Sequence, residues 1–165
     1  MDRSATISSL LEKARETYFF SAYQVYASHR DKVEQWAGGQ TSYWPGAHAV
    51  TEKTLFDIGS VTKAVATVSV LARAVDQGKL RLDHTTGQWV PEWKNSRLGQ
   101  LVLQDLLGHC AGLVPWADLA ALRAKGFRQG ILDHEQAWIV SAAGKKTAYS
   151  DIGFLILGEV LQEVF

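Results

Sequence analysis

With 165 residues, 47% hydrophobic and 21% charged, the chain has the composition of one globular domain. Its 17 basic residues balance its 17 acidic ones, so net charge gives no footing for a nucleic acid or an anionic membrane surface. The single cysteine, Cys110, excludes an internal disulfide framework.

Met1-Asp2-Arg3-Ser4 runs into a mixed polar segment without the apolar stretch of a signal peptide. The expected location is therefore cytoplasmic, or periplasmic or secreted if a leader has been removed. No apolar run approaches the roughly 20 residues needed to cross a bilayer. Residues 4–17 predict a helix capped by Ser4 or Thr6, with Ile7, Leu10, Leu11 and Ala14 as its buried stripe. Residues 19–28 and 33–37 read as two strands joined by the polar turn His29-Arg30-Asp31-Lys32, a β-hairpin. Gly38-Gly39 and Trp44-Pro45-Gly46 then punctuate a loop leading to Leu55-Phe56.

The stretch 54–78 organises the rest. After a turn at Asp57-Ile58-Gly59, a helix is predicted to open at Ser60. Val61, Ala64, Val65, Val68, Leu71, Ala72 and Val75 form its buried stripe, and Gly78 ends it. Ser60 and Lys63 stand outside that stripe, three apart on the first turn. Ser60 is a good N-cap, but a capping box wants Glu or Gln where the chain has Lys63. A cation in the first turn also opposes the helix dipole, by about 0.3–1 kcal/mol. A residue that breaks a local rule points to function. A hydroxyl becomes a nucleophile when an amine within reach takes its proton, provided burial and the dipole depress the amine's pKa.

Further along, residues 80–83 alternate and Pro91 interrupts the aromatic segment 89–93. Residues 102–107 predict a short helix followed by a turn through Gly108 and Gly112. Residues 133–142 predict another, capped by Asp133, and Arg123, Lys125 and Arg128 read as a solvated helix face. From Ile152 onward, Ile152, Leu155, Ile156, Val160 and Val164 keep helical spacing, and the chain stops without a helix-ending signal, as if cut near a helix end. The six tryptophans fit either core filling or an aromatic-walled cleft.

Several chemistries are excluded. The five histidines form no H-x-H or H-E-x-x-H pair, so no zinc site is expected, and no metal or organic cofactor is implied. Gly144-Lys145-Lys146 lacks the flanking residues of a phosphate-binding loop. The G-x-S-x-G elbow of α/β-hydrolases is absent.

Three stretches in order carry a resemblance: FDIGSVTKAVAT at 56–67, LLGHCAGL at 106–113, and Tyr149-Ser150-Asp151 running on as IGFLILGEVL. Together with GKLRLD at 78–83 they resemble the serine β-lactamase-like superfamily. The branch is that of class C β-lactamases, DD-peptidases and family VIII carboxylesterases. The resemblance implies a β-lactamase/transpeptidase-like fold of α/β, or α+β, class: a mostly helical region beside part of an antiparallel sheet. It covers residues 1–165 as the N-terminal portion of one such domain, with the helix and hairpin in 1–58 and the nucleophile helix in 59–165. By resemblance Ser60 is the acylated nucleophile, Lys63 its proton partner, and Tyr149 a base and then an acid working with Lys63. A phenol with pKa near 10 serves as a base only if a nearby cation stabilises its phenolate.

The chain departs from the family pattern at several places. Asp151 stands where lactamases and peptidases carry Asn, and a carboxylate cannot donate to a substrate amide, which tilts the reading toward esters. In LLGHCAGL, His109 is expected to pack and hydrogen-bond within a turn. The family's third element, K-T-G or H-x-G on a strand, does not occur in the sequence. That strand supplies one oxyanion donor, so the chain resembles the front half of a serine hydrolase and is expected to be weakly active at best. The expected function is acyl-enzyme hydrolysis of a small ester or amide, with a β-lactamase or DD-peptidase and a non-turnover sensor or scaffold as alternatives. Trp44, Trp89 and Trp116 are expected, with Asp151, to bind substrate. The expected partners are the missing C-terminal segment of the fold, or a second copy at the exposed sheet edge.

Overall fold

In a computed structural model of the chain, which describes residues 3–118, 122 and 126–165, the hairpin forms with the predicted polar turn. The chain divides into one unit ending at Asp57 and a second, Ile58–Phe165. In the first, helix α1 (Arg3–Glu16) precedes strands β1 (Ala22–His29) and β2 (Lys32–Gly39), an antiparallel pair whose register runs from Ala22 opposite Gly39 to His29 opposite Lys32. β1 begins three residues later than its apolar run because Tyr18 and Phe19 are used up in ending α1. Tyr18 adopts φ +61°, its N–H donates to the Arg15 carbonyl, and the Phe19 N–H reaches back to Ala14. On α1 Ile7, Leu11 and Ala14 are half-buried, whereas Leu10 is exposed. The Tyr23 hydroxyl donates to Glu12 Oε1 at 2.6 Å and ties β1 to α1. Gly38, opposite Tyr23, has to be glycine, since a Cβ there would lie 2.6 Å from the tyrosine hydroxyl.

The second unit begins with a π-helical stretch, Lys63–Val68, that continues into helix α2 (Ser69–Asp76). Three single turns of 3₁₀ helix follow at Thr86–Gln88, Pro91–Trp93 and Leu98–Gln100. Among the described residues, helices α3 (Leu103–Leu107), α4 (Phe127–Asp133), α5 (Glu135–Trp138) and α6 (Asp151–Val164) follow. α2 ends as predicted. Gly78 takes φ +68°, its N–H bonds the Val75 carbonyl, and the Lys79 N–H bonds Ala74. The 3₁₀ turns, α3 and α6 contribute much of the core: Val90, Trp93, Leu98, Leu103, Leu106, Ile152, Ile156, Leu157 and Val160 are all fully buried.

Four expectations fail for physical reasons. On the helix after Ser60, Val61, Val65, Val68 and Val75 are exposed, and of the predicted stripe only Leu71 is buried, beside Ala74. The π stretch Lys63–Val68 buries no residue on any face, so the predicted stripe has no counterpart there and burial starts only at Leu71. The alternation at 80–83 makes no strand, because Arg81 pairs with Asp83 at 2.7 Å and its N–H donates to His84 Nδ1. The helix expected over 133–142 is α5 alone, since Ile139 leaves it to form an antiparallel bridge with Leu113. Arg128 is not a free surface cation: it is part-buried and pairs with Glu159 and Glu163 of α6, at 2.7 and 2.5 Å. Arg123 and Lys125 lie outside the described residues. Helix α6 buries Ile152, Gly153, Ile156, Leu157, Val160 and Leu161, a stripe wider than the expected one, with Leu155 and Val164 half-buried.

Candidate active site

Gly59, at φ +49°, turns the chain into the helix that carries Ser60. Three successive tight bonds, Val61 to Ile58, Thr62 to Gly59 and Lys63 to Ser60, wind the backbone before it widens into the π stretch at Lys63. π turns are rare and concentrate at functional sites. Here the turn begins on the lysine of S-x-x-K, whose Nζ lies 3.4 Å from Ser60 Oγ.

Tyr149 and Asp151 reach the same point from far along the chain, Asp151 being 88 residues beyond Lys63. The short extended run at Leu113 to Pro115 holds them: the Val114 carbonyl accepts the Ser150 hydroxyl at 2.7 Å, and the Pro115 carbonyl accepts the Asp151 N–H at 2.8 Å. Ser150, only 2% exposed, also caps α6, its Oγ accepting the Gly153 N–H. From the other side comes His109. It occupies the residue after the C-cap of α3 in the left-handed conformation, φ +54°, with the Cys110 N–H bonded back to Asp105. Glycine is usual there. The imidazole earns its place through contacts: Nδ1 accepts the Ser150 N–H at 3.0 Å, and the ring lies 4.6 Å from that of Tyr149 and 5.1 Å from that of Phe154.

Lys63 is the centre of the arrangement. Its ammonium pairs with Asp151 Oδ1 at 2.6 Å and sits over the rings of Tyr149 and Phe154, 5.0 and 5.6 Å from their centroids. Burial is the largest single influence on the amine and works to lower its pKa. The hydrogen bonds and charges of Asp151 and Tyr149 together outweigh it and leave the pKa above 10.5. The sequence argument required a depressed amine, and Asp151 reverses that direction. Tyr149 moves the other way. Hydrogen bonds from Lys63 first, and from Ser60 second, hold the phenol below its usual 10.0. The pair therefore favours an ammonium on Lys63 and makes Tyr149 the more readily deprotonated partner. Burial and the nearby Lys63 charge keep His109 below its usual 6.5. Cys110 is no rival nucleophile, since burial and then Asp105 push its thiol up.

Ser60, Lys63, Tyr149 and Asp151 are thus brought together, while the three tryptophans stand differently. Trp116 is 73% exposed, one residue past the Pro115 that holds Asp151. Trp89 is half-buried, packed on the core and 5.9 Å from the His84 ring. Trp44 is exposed in a loop of the first unit. Sequence reasoning missed Phe154, although its place three residues after Asp151 on a helix puts it on the same face. Among the described residues, no group of three or more His, Cys, Asp or Glu is placed to hold a metal, and no helix is long and apolar enough to cross a membrane.

The family model described as Beta-lactamase matches residues 7–165. The esterase EstB of Burkholderia gladioli is 31% identical over 119 residues, 68% of this chain and 30% of that protein. A beta-lactamase of Providencia stuartii is 29% identical over 115 residues, 67% of this chain and 28% of that protein. Among solved structures, a class C beta-lactamase superposes with a TM-score of 0.83 at 25% identity, covering 97% of this chain and 44% of that one. The chain spans less than a third of the length of these two curated relatives. It belongs to the Beta-lactamase family, and its helices and antiparallel strand pair form part of the β-lactamase/transpeptidase-like fold.

Proposed function

We propose that Ser60 is the nucleophile of an acyl-enzyme hydrolase and that carboxylic esters are its substrates. The observation that carries this reading is the convergence on Ser60 Oγ of two groups distant in sequence, the Lys63 ammonium and the Tyr149 hydroxyl. In the proposed cycle Tyr149, as phenolate beside the Lys63 cation, takes the Ser60 proton while Oγ attacks the ester carbonyl carbon. The tetrahedral oxyanion collapses, the carbon–oxygen bond to the leaving alcohol breaks, and Tyr149 returns the proton to that oxygen. Water then attacks the acyl-enzyme, its proton passing to Tyr149, and the acid leaves as Ser60 is reprotonated. Lys63 remains charged throughout and stabilises whichever partner is anionic.

Esters are favoured over β-lactams and peptides because Asp151, an acceptor already engaged by Lys63, offers no donor to a substrate amide. The similarity to a protein named an esterase supports the same preference. Covalent labelling is the better first readout, because it reports the nucleophile without requiring turnover. A fluorophosphonate should add to Ser60, with no adduct on Ser60→Ala. An intact-mass and peptide map placing the adduct elsewhere would remove the assignment. Hydrolysis of a chromogenic cephalosporin faster than of short p-nitrophenyl esters would reverse the substrate preference. A stable acyl adduct that water does not release would favour an acyl-binding sensor.

A further inference from the structure

His109 contacts the segment that carries the proposed base at three points. Its carbonyl accepts the Ala148 N–H at 2.8 Å, its Nδ1 accepts the Ser150 N–H at 3.0 Å, and its ring packs 4.6 Å from Tyr149, the residue between them. The residue directly after Ser150 is Asp151, which holds Lys63. A backbone N–H can be accepted only by an unprotonated Nδ1, so the ring is the neutral tautomer with its proton on Nε2. The left-handed backbone of His109 aims the imidazole there, at a position where glycine would end α3 with less strain.

On the reading that Ser60 and Tyr149 are nucleophile and base, we propose that His109 is a positioning residue. Its neutral ring holds Tyr149 and Asp151 in register with Ser60 and Lys63, and protonation of that ring releases them. Protonation replaces an N···H–N hydrogen bond by two opposed N–H groups and adds a second cation near the Lys63 ammonium. The groups that face the ring are Lys63 from the π stretch, Tyr149 from the loop before α6, Asp151 at the start of α6 and the uncharged Phe154. On its own element, Asp105 is engaged by Cys110. Of these, Lys63 disfavours the imidazolium and Asp151 favours it, and burial adds to the effect of Lys63.

The test combines NMR of the unmodified protein with the pH dependence of fluorophosphonate labelling. A through-hydrogen-bond ¹⁵N–¹⁵N coupling is expected between Ser150 N and His109 Nδ1. It should vanish as His109 takes up its proton, with Tyr149 ring resonances shifting at the same midpoint. Labelling of Ser60 should fall on the acid side with that midpoint. His109→Phe, which keeps a ring but no acceptor, should label at least tenfold more slowly. His109→Asn, whose Oδ1 can replace Nδ1 and which tolerates a left-handed backbone, should recover most of that loss without the His109 acid limb. Parental labelling by His109→Phe, or an unchanged acid limb in His109→Asn, would overturn the proposal. If the parent does not label at all, the nucleophile reading fails and the NMR arm decides alone. Tyr149 resonances that ignore the titration of His109 would then overturn the positioning role.

Discussion

Asp151, expected from the sequence to contact substrate, acts in the structure on the charge of Lys63. Its carboxylate keeps the Lys63 pKa raised against the opposing pull of burial. The linkage follows from that direction: a raised lysine pKa contributes stability fully present below 10.5 and lost as pH rises through the folded value. Asp151→Asn removes the larger of the two partners that oppose burial, so the ammonium should be lost at lower pH. The alkaline limb of Ser60 labelling is expected to move to lower pH in this variant, read as labelling rate against pH by intact mass. An alkaline limb at its parental position would mean that Lys63 is not the cation on which Tyr149 depends. His109 has the opposite linkage. Its lowered pKa contributes stability present above 6.5 and lost as pH falls through its folded value, which makes the acid side the one where the fold and the site fail together.

At the scale of elements, α6 begins on Ser150, whose buried hydroxyl both caps the helix and donates to Val114. Ser150→Ala removes the cap and leaves the Val114 carbonyl short of a partner. Urea unfolding should show a loss of about 1–3 kcal/mol, more than a cap alone usually contributes. A change within about 0.5 kcal/mol, the range of an ordinary surface substitution, would mean that water replaces both bonds. The same elements show what the sequence made legible. The hairpin, the Gly78 stop and the start of α6 follow local rules of turn chemistry and capping, and they appear where those rules put them. Ser60 and Lys63 meet because a spacing of three on a first turn is also local. What stayed hidden depends on residues far apart. The π stretch is not encoded in a 3.6-residue pattern, and an apolar period alone does not say which tertiary surface it meets: the valines assigned to the core lie on the surface. The turn after α3 runs through Gly108 as expected, but composition gave no sign that His109 takes the left-handed conformation there. The direction of the Lys63 shift required Asp151, which no window around Lys63 contains.

For the whole molecule, the decisive fact is that Lys63 and Asp151 are joined across 88 residues. Closing so long a loop is unfavourable until packing compensates it, so such contacts form late compared with a two-residue turn or one helix. During refolding from urea, far-UV circular dichroism should recover before Ser60 labelling does, as followed by stopped-flow and quenched-flow mass spectrometry. Labelling that returned together with the helical signal would show the site forming with its first helix. The separation has a further consequence during synthesis. At about 5–20 residues per second, the ribosome adds Ser60 and Lys63 several seconds before Tyr149 exists. Through that interval Ser60 has neither the Tyr149 phenol beside it nor the Asp151 carboxylate that fixes its neighbour. On the proposed reading, the nascent chain therefore carries Ser60 in a latent form until the segment around Tyr149 has docked.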